Sequence, residues 1–93
     1  MAKEPDDNFF DRADAIINIA NSQMSDATAG EVSASSMYAV ARFNAFLSST
    51  GHTNGIEMQS AKTETIAYFV SQFRAMLEEN LDEFIHHLNN QSK

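Results

Sequence analysis

Apolar positions recur at helical spacing in three stretches of the chain. In the first, Phe9, Ala13, Ile16, Ile17, Ala20 and Met24 form a stripe at i, i+4, i+7, i+8, i+11 and i+15, with Phe10 widening one edge and Ile19 on the other flank. This predicts an amphipathic helix over roughly residues 7–24. Pro5 precedes it, and Asp6, Asp7 and Asn8 are each suited to cap its N-terminus. Asp11 and Asp14 lie on its far side and favour the positive end of the helix. The second stretch, Val32 to Leu47, carries one charge, Arg42. Val32, Ala39, Val40, Phe43, Phe46 and Leu47 share one face, and Ala34, Tyr38, Ala41 and Ala45 share the opposite one. A helix apolar or small on two faces is usually packed between neighbours, so this one is expected to be central. Thr28 and Glu31 have capping-box spacing, which starts it near residue 29. Ser48, Ser49, Thr50 and Gly51 stop it, with Gly51 as the expected left-handed terminal residue and His52 to Asn54 as the turn.

The third stretch begins near Gly55, where Asn54 and Glu57 repeat the capping-box spacing. No Pro or Gly follows, so the helix is expected to run to about Asn89. Its stripe is Ile66, Val70, Phe73, Leu77, Leu81, Phe84 and Leu88, flanked by Met58, Phe69 and Met76. The steps 4, 3, 4, 4, 3, 4 make an eleven-residue repeat, which follows a nearly straight helix. At 1.5 Å per residue the first two helices are about 25–30 Å long and the third about 50 Å. A continuous third helix therefore overshoots the others, and Leu81, Phe84, Ile85 and Leu88 would face water, which is costly for a row of that size. Either the chain breaks near Asn80, which has its own capping partner in Glu83, and folds back as a fourth helix, or a second copy covers the overhang. The small residues of the second helix's alanine-rich face favour the second copy. The fold expected is all-α: a three-helix up-down-up bundle in one domain over 1–93, with a fourth helix if the chain breaks near Asn80. Residues 1–6 and 90–93 are expected to fray.

Composition narrows the function classes. At 93 residues, 43% hydrophobic and 20% charged, the chain can bury a modest core. It has no cysteine, hence no disulfide and no thiolate metal site. No apolar run reaches transmembrane length, and MAKEPDDNFF lacks the apolar core of a signal peptide, so a cytoplasmic, bacterial-type protein is expected. The net charge is −7, with the six cationic residues scattered at 3, 12, 42, 62, 74 and 93. That argues against nucleic acid and against an anionic membrane surface as partners.

The blocks FFDRADAIINIAN, VSASSMYAVARFNAF and ETIAYFVSQFRAMLEENLDEFI resemble a family of small proteobacterial proteins known only as a domain of unknown function. The resemblance runs from about Phe9 to Ile85. It implies a small intracellular bacterial domain and carries no reaction, ligand or catalytic residue with it.

Candidate chemistry is sparse. Glu79, Asp82, Glu83, His86 and His87 cluster near the C-terminus, and Glu83–His86 is the E-x-x-H step of di-iron bundles. Such a site needs two of these motifs and two further Glu, all facing inward. Here one motif lies off the apolar stripe, so Glu83, His86 and His87 are weak metal candidates and read better as a solvated acidic face with i,i+4 pairs. There is no G-x-S-x-G elbow and no phosphate-cradling glycine loop. Arg42 reads as an ion-pair residue whose stem covers apolar surface, ahead of an anion ligand. Seven Phe and five Met read as core, ahead of a pocket for an apolar ligand. No catalytic residue and no cofactor is expected. The chain reads as a non-enzymatic interaction module forming a homodimer through Leu81, Phe84, Ile85 and Leu88, with Ala34, Tyr38, Ala41 and Ala45 as a second candidate surface. Glu78, Glu79, Asp82 and Glu83 form a rim suited to a basic protein partner. The rival class is a bundle binding a small ligand or a metal.

Overall fold

A computed structural model describes residues 6–91. It is all-α, as expected, with no strand among the described residues. Four helices follow in order: α1 (Phe9–Gln23), α2 (Ala29–Ser49), α3 (Gly55–Ser60) and α4 (Lys62–Gln91). The chain divides into two compact units, Met1–Leu47 and Ser48–Lys93.

In the first unit, α1 is started by Asp6. The Asn8 side chain makes no capping bond. Asp6 Oδ1 instead accepts the Asn8 N–H at 2.9 Å, its carbonyl accepts the Phe9 N–H at 3.1 Å, and Oδ2 meets Arg12 Nη2 at 2.7 Å. The Arg12 bond, then the Asn8 bond, hold the Asp6 carboxyl below its ordinary range. At the start of α2 the capping box forms in full. Thr28 N–H donates to Glu31 Oε1 at 2.9 Å, and Glu31 N–H donates to Thr28 Oγ1 at 3.1 Å. One turn on, Val32 is 5% exposed, the one buried residue among those described. The expectation of a buried central helix is corrected here. Val40, Phe43 and Phe46 on its main face are exposed, and so are Ala34, Tyr38, Ala41 and Ala45 opposite. The less exposed positions of α2 are Ser36, Asn44 and Ser48, small or polar residues that the apolar pattern does not mark.

The second unit opens with the end of α2. Gly51 is not left-handed, and no described glycine has a positive φ. The helix closes instead by tightening: Gly51 N–H reaches the Ser48 carbonyl at 3.1 Å and His52 N–H the Ser49 carbonyl at 3.3 Å. Asn54 then caps α3, accepting the Glu57 N–H on Oδ1 at 2.8 Å. Glu57 does not return the bond to Asn54. Its Oε1 takes the Thr53 N–H at 2.7 Å and the Thr53 hydroxyl at 3.2 Å, with His52 Nδ1 3.6 Å away.

The Thr53 amide bond, then its hydroxyl, hold the Glu57 carboxyl below its ordinary value of 4.5, with His52 adding to the effect. The sign follows. A carboxyl whose folded pKa is lowered stabilises the fold above the unfolded value and loses that contribution as pH falls through the folded value. Acidification from about pH 5 to pH 3 should therefore lower the Tm of the wild-type chain more steeply than that of Glu57→Gln. Equal slopes in thermal melts across that window would remove Glu57 from the cap.

A break does occur in the third helical stretch, but at Ala61 and not near Asn80. Ala61 has φ −90° and ψ −1°, and its N–H is shared between the Glu57 and Met58 carbonyls at 3.3 and 3.1 Å. Ser60 Oγ bonds back to the Ile56 carbonyl at 3.2 Å, a contact that competes with the backbone and bends helices. The Ala61 carbonyl at once accepts the Thr65 N–H at 2.9 Å, so α4 starts where α3 ends. From there α4 is continuous for 30 residues, about 45 Å. Asn80 does not cap anything. Its Nδ2 donates back to the Met76 carbonyl at 2.8 Å, inside an unbroken helix. Of the ends expected to fray, Asn90 and Gln91 belong to the helix and Asp6 is held by Asn8 and Arg12, while 1–5 and 92–93 lie outside the described residues.

Candidate interaction surface

Within the second unit α3 is six residues long, about 9 Å, and sits at the N-terminal end of α4. It is too short to run alongside the C-terminal half of a 45 Å helix. That half carries Leu81, Phe84, Ile85 and Leu88, which are 52%, 63%, 53% and 60% exposed. Helical periodicity sets the four in one row, continuing the stripe of Ile66, Val70, Phe73 and Leu77, themselves all exposed.

Around the row the side chains are polar and solvated. Glu78, Glu79, Asp82 and Glu83 are exposed. Arg74 Nε lies 3.8 Å from Glu78 Oε2, an i,i+4 pair with both side chains largely in water. Such a pair stabilises by a few tenths of a kcal/mol at most. His86 Nε2 lies 3.1 Å from Asn90 Nδ2. Glu83, His86 and His87 are exposed and lie off the stripe. Among the described residues, no group of three or more His, Cys, Asp or Glu side chains lies close enough to hold a metal ion. Arg42 is exposed on α2. No helix among the described residues is long and apolar enough to cross a membrane.

The model of a family described as "Protein of unknown function (DUF3144)" matches residues 9–85. The chain belongs to the DUF3144 family. The matched span opens on Phe9, the first residue of α1, and closes on Ile85 within α4. It thus takes in Leu81, Phe84 and Ile85, and Leu88 follows just beyond it. The resemblance seen in the sequence is this family, with the same limits. No curated protein and no solved structure matches the chain.

The row of Leu81, Phe84, Ile85 and Leu88 is legible from periodicity, but its setting is not. The stop at Ala61 has no Pro or Gly to announce it, and its one local sign is Ser60, a hydroxyl placed to bond backwards. His52 and Glu57 come together because Thr53 draws the carboxylate back across the turn, a contact that capping-box spacing alone assigns elsewhere.

Proposed function

We propose that this DUF3144 chain is a non-enzymatic interaction module of the bacterial cytoplasm that self-associates through α4. The observation that carries this reading is the continuity of α4. The chain does not fold back at Asn80, so no fourth helix covers the row of Leu81, Phe84, Ile85 and Leu88, and the four are more than half exposed. Having no cysteine, the chain needs no oxidising compartment. Its net charge of −7 speaks against nucleic acid. The acidic rim beside the row suits basic residues on any further protein partner.

Magnitudes say how much surface is needed. A half-exposed side chain of this size has roughly 1 kcal/mol still to gain on full burial. Four per copy give on the order of 8 kcal/mol gross for a dimer, comparable with the ordering cost of association. The row alone is therefore too small, and the interface must take in the rest of the stripe. A melting temperature that climbs with protein concentration supports self-association. A melting temperature indifferent to concentration that rises with added Zn²⁺ or Fe²⁺, and drops back with chelator, would replace it with metal binding.

A further inference from the structure

We propose that α4 pairs antiparallel with α4 of a second copy, with the two-fold axis at Leu77. This deepens the self-association just described and rests on it. The stripe of α4 reads the same in both directions. Ile66 and Leu88 stand eleven residues either side of Leu77, Val70 and Phe84 seven, and Phe73 and Leu81 four. At about 100° per residue all seven lie within roughly 40° of Leu77 around the helix. A two-fold interface requires that if residue i meets residue j, then j meets i. A palindromic stripe on a continuous helix meets this requirement at every layer: Ile66 on Leu88, Val70 on Phe84, Phe73 on Leu81, and Leu77 on itself. Ile85, at the edge of the stripe, then falls beside Ala67, a large side chain next to a small one.

Charge selects the same direction. A parallel pair lays Glu78, Glu79, Asp82 and Glu83 alongside their own copies, which repels. The antiparallel pair lays residues 78–83 opposite residues 71–76, a segment whose one charge is Arg74. Arg74 and Glu78 sit on one flank, 3.8 Å apart within the chain. The two-fold axis sets that flank against itself, with Arg74 of each copy within about one helical turn of Glu78 of the other. The helix dipoles also oppose. Seven side chains, each about half exposed, remove on the order of 700 Å² per copy from water, close to the ~800 Å² per partner of a standard stable interface.

The full chain lacks cysteine, so single cysteines report register directly. Leu77→Cys should oxidise to a covalent dimer. Leu88→Cys alone should not, because its two copies lie about 33 Å apart and a disulfide needs Cα atoms within about 7 Å. An equimolar mixture of Ile66→Cys and Leu88→Cys, exchanged under reducing conditions and then oxidised, should give the mixed species. The solution mass of each reduced variant and of wild type is taken first. Dimeric mass with efficient self-linking of Leu88→Cys overturns the antiparallel register while self-association stands. Dimeric mass with no linking at Leu77 or in the mixture overturns the α4 pairing itself. Monomeric wild type removes self-association and the register with it.

Discussion

Phe84→Glu should abolish self-association and leave a folded, helical monomer. Phe84 is the most exposed member of the C-terminal row, so the substitution disturbs little within the single chain. Glutamate is also a good helix former. In the proposed pair, however, the ring packs on Val70 of the other copy, and symmetry repeats the loss. Truncating a central aromatic anchor commonly costs 2–4 kcal/mol, and burying a carboxylate against valine adds to it. The dissociation constant should rise by at least about 30- to 1,000-fold. Sedimentation equilibrium measures the change, and circular dichroism shows that helix content is kept. A variant with wild-type mass at every concentration would take Phe84 out of the interface.

The continuity of α4 makes the second strong prediction. Asn80→Pro removes an i→i−4 hydrogen bond and drives the ring against the Met76 carbonyl, at a cost of about 3 kcal/mol or more. Asn80→Ala should be close to neutral. It loses the side-chain bond to Met76 at 2.8 Å and gains helix propensity. The fold-back alternative predicts another pattern. There Asn80 is an N-cap, and its change to Ala costs about 0.5–2 kcal/mol. Urea unfolding of the two variants separates these cases. A destabilising Ala variant would place a helix start at Asn80.

Sequence periodicity located all three long helices, and local polar side chains mark the starts of α1, α2 and α3. Thr28 and Glu31 show where such local reasoning succeeds, with both bonds of the capping box in place. Asn80 and Glu83 have the same spacing and form no cap. There the helix runs through, held by its backbone, and the Asn80 amide has a carbonyl one turn behind it to bond. The break at Ala61 rests on a bifurcated amide and a backward serine bond, neither of which has a distinctive sequence signature. The limit is sharper for burial. Periodicity says that Val40, Phe43 and Phe46 share a face, and it cannot say whether anything covers that face. All three are about half exposed or more, and among the described residues Val32 is the one that is buried. The candidate surface was readable for the same reason that its occupant was not: a stripe on a helix is a local pattern, and its partner belongs to the assembly. The symmetry of the α4 stripe about Leu77 is the exception, since a palindrome constrains the partner as well.

Self-association is tested most directly by solution mass from light scattering over a hundredfold range of concentration. The expected result is a mass of twice 10.3 kDa at high concentration, falling toward 10.3 kDa on dilution. A mass of 10.3 kDa throughout would contradict it, and would mean that the apolar stripe of α4 is covered by other parts of the same chain or by a different protein.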